Sequence, residues 1–304
     1  MSMEESIRAA DILARTARLA ADYPFVGLQT IGYSVLGRAL FTLSMGRGAP
    51  QVYINATHHG NEWITSLLVL RYFEAYAKAV QTGGDIAGTP ASDLFYGTTL
   101  FLTPLVDPDG MDIALSQAPP DVMAAARQLS LTQPAVPFPQ GWKANATGTD
   151  LNLNYPAGWD TARELKAAQG VTEPGPRDYV GTAPLSAPES RAVYDFTRAK
   201  DFRLILAYHT QGEVIYWRYG TQDPPDAERI GRRLAAASGY ALEDTPYQSA
   251  FAGYKDWFIQ AFNRPGYTVE AGRGQNPLPL SQLDNMYEKN APLLTAALLS
   301  AMEL

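Results

Sequence analysis

The sequence predicts an α/β protein, a three-layer α/β/α sandwich whose helices cover both faces of a mixed, mostly parallel twisted sheet. Buried apolar strands alternate along the chain with segments of helical spacing. The 304 residues are 46% hydrophobic and 18% charged, which is ample for one large core. Because no Ser/Gly- or Pro-rich linker separates two self-sufficient halves, we expect a single domain over residues 1–304.

The first half of the chain predicts a helix, a hairpin and two buried strands around a second helix. Residues 1–22 have amphipathic helical spacing, and Ser2 and Glu5 match a capping box. Residues 25–46 form two alternating runs around a glycine-containing turn, which is typical of a hairpin. The run "PQVYINATH" predicts a strand, Glu62 to Ala79 a helix, and "TTLFLTPLVD" a strand that ends in a "DPDG" turn.

The second half opens with an irregular segment and then becomes regular. Residues 116–185 are rich in Pro, Gly and Asn, and we expect a long active-site loop region there, because long segments without periodicity are usually functional. Ser186 and Glu189 then predict the cap of a helix that runs through Ala199. The remaining predicted strands are "FRLILAYHT", "EVIYWRY" and "GYTVEAG", and the remaining helices are 224–238, stopped by Gly239, "YKDWFIQAF" and 281–302.

Composition excludes several function classes. The formal charge is −7 and no Lys/Arg cluster occurs, so we expect no nucleic-acid partner. No apolar run approaches the roughly 18 residues that a membrane helix needs. The N-terminus lacks the basic-then-apolar layout of a signal peptide, so we expect a cytoplasmic protein, or a secreted or envelope-associated one if a signal has been removed. Since the chain has no cysteine, any metal must be bound by histidine and carboxylate.

Polar side chains at the ends of three predicted strands carry the candidate chemistry. His59 follows one strand, His209 ends a second, and Glu270 ends a third. The carboxyl ends of strands in an open α/β sheet border one crevice. His59 and Glu62 are three residues apart at a strand-to-helix turn, so with His209 they form an open zinc set that leaves a position for water. Glu270 would then accept the proton of that water.

Taken singly, each of these residues has a simpler explanation. A histidine at a strand end is usually a hydrogen-bonded structural residue, Glu62 suits a helix N-terminus, and Glu270 could pair with an arginine. His58 could replace His59 as a ligand, but on an extended strand it points the opposite way, so we assign it a packing or supporting role. Because the chain has three histidines in all, their joint placement favours a metal site.

An ordered set of motifs resembles the zinc metallocarboxypeptidase family, which contains carboxypeptidase A. The motifs are "HHGNEW", "LVDPDG", "GTDLNLNYP", "AYHTQG" and "TVEAG", and the resemblance runs from about Tyr23 to Leu283. It implies one Zn²⁺ per chain held by His59, Glu62 and His209, with Glu270 as the base. The segments "HGNEWIT", "WKAN", "GYKDWFI" and "GRGQNPLPL" are similar to the bacterial γ-D-glutamyl-diamino-acid peptidases, which cleave peptidoglycan stem peptides before meso-diaminopimelate or a related diamino acid.

The chain departs from the family at both of its substrate-binding arginines. The arginine that grips a terminal carboxylate falls on Leu153, beside a retained Asn152, and leucine cannot make a bidentate carboxylate contact. The arginine that polarises the scissile carbonyl corresponds to Thr147. We therefore expect Arg218 and Arg273 as replacement cations, with solvated loop positions as the alternative for both.

The family's mobile tyrosine best matches Tyr247, with Tyr254 as a rival. The expected partner is thus a peptide, and three functions remain open. The first is an endopeptidase acting on γ-D-glutamyl-diamino-acid bonds of stem peptides. The second is a metallocarboxypeptidase that trims C-terminal residues, which needs a basic head group near Leu153. The third is an inactive zinc-binding module for cell-wall peptide, which the retained Glu270 argues against.

Overall fold

A computed structural model of the chain describes residues 7–304, so the capping box expected at Ser2 and Glu5 lies outside the described residues. Helix α1 covers Ala9–Asp22 and buries Ile12 and Leu19 against the core. No helix within residues 7–304 is both long and apolar enough to cross a membrane.

Within residues 7–304, ten strands form two sheets. Their bounds are β1 Gly27–Tyr33, β2 Ala39–Gly46, β3 Gln51–Ala56, β4 Asp85–Ile86, β5 Thr89–Pro90, β6 Thr99–Thr103, β7 Phe202–His209, β8 Val214–Tyr216, β9 Ala241–Glu243 and β10 Gly266–Glu270. The main sheet has eight strands in the order β1–β2–β6–β3–β7–β10–β8–β9, and β4 pairs with β5 separately. The predicted hairpin of residues 25–46 is thus the antiparallel pair β1–β2.

The central strands β6, β3, β7 and β10 are mutually parallel, while β2 and β8 join them antiparallel. The mixed, mostly parallel sheet predicted from the sequence is therefore confirmed. Parallel pairing places the carboxyl ends of β3, β7 and β10 at one edge. The register puts Glu270 beside His209 and Ala56 beside Tyr208.

The remaining helices are α2 Ile64–Thr82, α3 Ala91–Gly97, α4 Pro108–Ala114, α5 Pro120–Ser130, α6 Trp159–Ala168, α7 Pro188–Arg198, α8 Ala227–Ser238, α9 Tyr254–Phe262 and α10 Leu283–Ala301. They form two outer layers because side chains alternate across each strand. Val52 and Ile54 of β3 belong to the core that α2 and α10 cover, whereas Tyr53 belongs to the core under α7 and α9. This arrangement is the predicted α/β/α sandwich.

The structure differs from the sequence prediction in residues 116–185, where α5 and α6 replace part of the expected loop. Their buried positions are mostly small or polar, such as Ala126 and Ser130 in α5 and Ala162 and Lys166 in α6. Apart from Trp159, no large apolar residue of these two helices is buried, so few apolar positions mark them in the sequence. The predicted strands over 98–107 and 213–219 are also shorter, as β6 and β8.

The prediction that Ser186 and Glu189 cap α7 is wrong. Ala187 occupies the N-cap position without a side-chain hydrogen bond. Ser186 instead accepts a hydrogen bond from Asn154 Nδ2 at 3.1 Å. The Glu189 carboxylate accepts hydrogen bonds from the Val35 N–H at 2.9 Å and from Asn145 Nδ2 at 3.0 Å. Both side chains are therefore engaged in tertiary hydrogen bonds, although Glu189 lies in the first turn of α7.

Glu189 belongs to a buried acidic cluster, which we define as Asp107, Asp109, Asp112 and Glu189 together with Arg38. Arg38 lies 2.7 Å from Asp112 and 3.4 Å from Asp109. Burial raises the pKa of Glu189 to about 7, and burial also raises the pKa of Asp107 and Asp109. Because the ion pairs of Arg38 are with Asp109 and Asp112, burial favours the protonated forms of Asp107 and Glu189, and the cluster joins the β1–β2 turn to α4 and α7.

We predict that the free energy of unfolding of the Glu189→Gln variant falls less with rising pH than that of the unsubstituted protein. The folded-state pKa of Glu189, about 7, exceeds its usual value of 4.5, so the stabilisation is complete below pH 4.5 and lost as the pH rises through 7. The glutamine stays neutral and keeps an oxygen that accepts from Val35. Between pH 4.5 and 8, the free energy of unfolding of the unsubstituted protein should fall by about 3 kcal/mol more than that of the variant. Denaturant unfolding over a pH series measures this difference, and parallel profiles would contradict it.

Candidate metal centre and active site

Three buried side chains converge at the edge where β3 and β7 end. His59 precedes a short 3₁₀ turn, Gly60–Glu62, and His209 is the last residue of β7. Glu62 Oε1 lies 2.9 Å from His59 Nδ1, and Glu62 Oε2 lies 2.9 Å from His209 Nδ1. The two Nδ1 atoms are 3.3 Å apart. These three residues could hold a metal ion, since one ligand atom of each lies within 4.8 Å of the others.

Close backbone packing shapes the turn between the two ligand residues. A Cβ atom at Gly60 would lie 2.2 Å from the carbonyl carbon of Gly110, so only glycine fits there. The Gly60 N–H donates to the Lys143 carbonyl oxygen at 3.1 Å. Thr65 Oγ1 donates to the Glu62 carbonyl oxygen at 2.8 Å. The turn is therefore held from both sides, and Glu62 enters the interior beside His59.

The surroundings of His59 indicate that its Nδ1 presents a lone pair. His59 Nε2 lies 3.0 Å from Asp150 Oδ1, and a carboxylate only accepts, so we assign the ring proton to Nε2. The Nδ1 lone pair then faces the Glu62 carboxylate and His209 Nδ1. Such facing acceptors repel one another unless a cation lies among them. Two imidazole nitrogens, one carboxylate and a carboxylate behind a ligand histidine fit zinc.

The ionisation of these groups is consistent with this interpretation. Burial disfavours the charged form of Asp150, but His59 and Lys143 hold the pKa of Asp150 well below its usual range. Burial also opposes protonation of His59, yet Glu62 and Asp150 raise the pKa of His59 to about 9. A metal ion bound here would therefore take the place of the His59 proton, which Glu62 and Asp150 stabilise in its absence.

Glu270 lies beside this group because β10 pairs in parallel with β7. It is the register partner of His209 and the last residue of its strand. Burial and the neighbouring Glu62 carboxylate raise the pKa of Glu270 to about 8. A carboxylate at a metal-ligand cluster with a raised proton affinity is suited to accept a proton from water.

Two cavities meet at Glu270. A small cavity of about 170 Å³ is lined by His59, Glu62 and His209, and a large cavity of about 740 Å³ is lined by Asn61, Gln140 and Asn276, among others. Both cavities are lined by Lys143, Arg177, Tyr216, Ser249 and Glu270. An extended substrate can therefore occupy both sides of the reaction centre.

The expected substrate-binding residues lie in different places. Asn152 lines the small cavity together with Leu153, and its Oδ1 accepts a hydrogen bond from the Tyr254 N–H at 3.0 Å. The Tyr254 hydroxyl is buried 2.9 Å from Thr197 Oγ1. Tyr247 is 64% exposed, packs edge-on against a phenylalanine, and lines a third cavity.

Arg218 and Arg273 line neither the small nor the large cavity. Arg218 pairs with Asp244 and lines the third cavity, and Arg273 Nε lies 2.7 Å from Glu213. Thr147 bonds to Asn145 within a turn. The structure therefore does not bring either expected replacement arginine to Glu270, because each already has an acidic partner elsewhere.

Four basic side chains that the sequence did not single out line the small cavity: Lys143, Lys166, Arg177 and Lys255. Lys143 Nζ lies 3.1 Å from Glu62 Oε1, and Lys255 is buried with its Nζ 2.5 Å from Asp256. Lys143 lies in the segment "WKAN", but no sequence signal distinguishes a buried lysine from a solvated one. The sequence analysis also missed Asp150. A histidine that binds a metal donates its other ring N–H to an acceptor, and a search for such an acceptor could have found Asp150.

The comparisons with known proteins agree with the motifs. Residues 12–292 match the zinc carboxypeptidase family. The chain is 39% identical over 283 residues to γ-D-glutamyl-L-diamino acid endopeptidase 1 of Lysinibacillus sphaericus, covering 92% of this chain and 69% of that protein. It is 24% identical to carboxypeptidase A1 of Bos taurus, covering 87% and 62%. The structure of bovine thrombin-activatable fibrinolysis inhibitor with tick carboxypeptidase inhibitor superposes with a TM-score of 0.75 at 19% identity, over 99% of both chains, which supports the fold.

The predicted resemblance is thereby confirmed over most of the chain. The ordered motifs, the parallel sheet and the convergent His–Glu–His group belong to one architecture. This chain is a metallopeptidase of the zinc carboxypeptidase family.

Proposed function

We propose that the protein hydrolyses the amide bond between the γ-carbonyl of D-glutamate and a diamino acid, such as meso-diaminopimelate, in peptidoglycan stem peptides. The carrying observation is that two cations, Lys143 and Arg177, lie beside Glu270 where the small and the large cavity meet, among the five carboxylates that also line the small cavity. Two cations at that junction suit a ligand with several carboxylates, and the γ-D-glutamyl-diaminopimelyl unit has one on each side of its amide bond. The 39% identity to an endopeptidase for such bonds supports the same assignment.

The reaction proposed for this site is amide hydrolysis assisted by Glu270. A zinc ion held by His59, Glu62 and His209 would polarise the scissile carbonyl and make a water molecule more acidic. Asp150 orients His59 for that role through the 3.0 Å contact with Nε2. Glu270 accepts the proton of the attacking water and returns it to the leaving amine.

Lys143 supplies a positive charge where the family uses an arginine. Its Nζ lies 3.1 Å from Glu62 Oε1 and its side chain lines both cavities. The backbone of Lys143 is fixed next to the Gly60–Glu62 turn, because the Gly60 N–H donates to the Lys143 carbonyl oxygen. An ammonium there stabilises the negative charge that develops on the scissile carbonyl oxygen.

A metallocarboxypeptidase activity is the second candidate. It needs a basic group near Leu153 to receive a terminal carboxylate, and Lys255 lines the same cavity as Leu153. Lys255 Nζ already contacts Asp256 and donates to the Arg218 carbonyl oxygen at 2.7 Å. Because these partners neutralise much of its charge, the endopeptidase is the better-supported function.

The products of hydrolysis test the proposal. We expect the zinc-loaded protein to release L-Ala-D-Glu from L-Ala-γ-D-Glu-meso-diaminopimelate and from longer stem peptides, with the release stopped by a chelator. Mass spectrometry identifies the products. Release of only the terminal residue from longer peptides would favour the carboxypeptidase, and zinc binding without any product would favour a binding module.

We predict that Glu270→Gln lowers kcat by about 10²- to 10⁴-fold, because the amide cannot accept the water proton. The variant should keep one zinc per chain, measured by inductively coupled plasma mass spectrometry, since Glu270 is not among the residues that could hold the metal. Glu288→Gln, at an exposed position of α10, is the matched control and should retain full activity. An active Glu270→Gln enzyme would exclude the role proposed for Glu270.

We predict that Lys143→Gln lowers kcat by about 10- to 10³-fold with a smaller change in KM, because the charge acts mainly on the transition state. Lys143→Arg should recover part of the rate, because it restores a cation at the junction of the two cavities. Zinc content should remain that of the unsubstituted protein. A rise in KM at constant kcat would instead assign Lys143 to ground-state binding.

A further inference from the structure

Arg177 lies where the small and the large cavity meet. Two cations, Lys143 and Arg177, line both cavities, and Glu270 lies between the same two spaces. Lys143 is engaged with the metal-ligand cluster through its 3.1 Å contact with Glu62. Arg177 has no contact with that cluster among the hydrogen bonds and ion pairs of residues 7–304, so its charge is available to a group of the substrate next to the scissile bond.

A chain of hydrogen bonds fixes the position of Arg177 relative to the candidate metal site. Arg177 Nε donates to Asp178 Oδ2 at 2.9 Å, and the Asp178 N–H donates to Asp150 Oδ2 at 3.1 Å. Asp150 Oδ1 lies 3.0 Å from His59 Nε2. Asp178 has a φ of +67°, a left-handed conformation that few residues other than glycine adopt. The guanidinium is therefore held by Asp178, whose backbone N–H is bonded to the carboxylate that orients a candidate ligand.

The pairing with Asp178 leaves part of the Arg177 charge uncompensated. Asp178 also lies 2.7 Å from Lys166 Nζ, so one carboxylate faces two cations. Within residues 7–304, Asp178 is the one carboxylate within ion-pair distance of Arg177. Its bond uses Nε, which leaves the terminal guanidinium nitrogens as donors for a bidentate contact with a carboxylate.

The proposed substrate has a carboxylate within reach of this position. In a γ-linked glutamyl residue, the α-carboxyl carbon is four bonds from the scissile carbonyl carbon, or about 5 Å in an extended conformation. In an α-linked residue the α-carboxyl group is itself the scissile carbonyl. The free γ-carboxylate of such a residue lies at the same four-bond separation, so a cation beside the reaction centre distinguishes a free glutamyl carboxylate from an amidated one.

We propose that Arg177 binds the free α-carboxylate of the γ-linked glutamyl residue and so makes the enzyme selective for substrates in which that carboxylate is unmodified. This inference rests on the proposed function and assigns one specificity-determining residue to it. Amidation of that carboxylate, which converts D-glutamate to D-isoglutamine, removes the negative charge and should weaken recognition. Arg177 acts on the acyl part of the substrate, not on the leaving diamino acid.

The test compares two substrates with two enzymes. The substrates are L-Ala-γ-D-Glu-meso-diaminopimelate and its D-isoglutamine analogue, and the enzymes are the zinc-loaded unsubstituted protein and Arg177→Gln. The unsubstituted enzyme should prefer the free carboxylate in kcat/KM by on the order of 10- to 100-fold, as one charge-assisted contact allows. Arg177→Gln should cleave the isoglutamine substrate at nearly the unsubstituted rate and show a preference below about 3-fold. Arg177→Lys should retain part of the preference.

Arg163→Gln is the matched control. Arg163 lies in α6, pairs with Asp160 and lines neither the small nor the large cavity, so its replacement should leave the preference unchanged. The inference is overturned if Arg177→Gln keeps the full preference. It is also overturned if activity falls equally on both substrates, which would indicate a structural role through Asp178 and Asp150. If the unsubstituted enzyme cleaves neither substrate, the proposed function itself fails.

Discussion

The Asp150 carboxylate is the constraint on which the active-site arrangement depends. One of its oxygens contacts His59 Nε2 and the other accepts the Asp178 N–H. The first contact selects the tautomer of a candidate metal ligand, and the second fixes the segment that carries Arg177. Because Asp150 belongs to residues 116–185, its side chain is one of the contacts that attach this long segment to the edge of the sheet, together with the bond from the Gly60 N–H to the Lys143 carbonyl oxygen.

The buried carboxylates of this acidic protein differ in their ionisation. Buried carboxylates form two groups, one at the candidate metal centre and one in the buried acidic cluster behind the turn that carries Asn145. In the first group, despite burial, His59 and Lys143 lower the pKa of Glu62 and Asp150, whereas burial and the neighbouring Glu62 raise the pKa of Glu270. In the second, one arginine faces four carboxyl groups, so burial dominates and raises the pKa of Glu189, Asp107 and Asp109. The same residue type therefore has opposite ionisation within one domain.

The motifs at strand ends were predictable because His59 and Glu62 are close in sequence and because parallel strands end at the same edge of a sheet. His59 and Glu62 occupy one turn, and the register of β7 with β10 follows from the parallel pairing of two buried runs. Residues from 116–185 were harder to predict. Lys143 and Arg177 reach the cavity through turns whose conformation depends on contacts with distant elements, such as the bond from Gly60 to the Lys143 carbonyl oxygen. Helices α5 and α6 were missed since small residues occupy much of their buried faces.

By itself, the sequence determined the α/β architecture, the order of the strands that carry His59, His209 and Glu270, and the membership of a zinc peptidase family. Hydrophobic periodicity and closely spaced motifs encode these features. The tertiary structure alone decided which cations enter the cavity. It placed Arg218 and Arg273 with Asp244 and Glu213, and it brought Lys143 and Arg177 to Glu270. The physical reason is that the carboxylates paired with Arg218 and Arg273 are distant from them in sequence, so only folding decides which cations remain for the cavity.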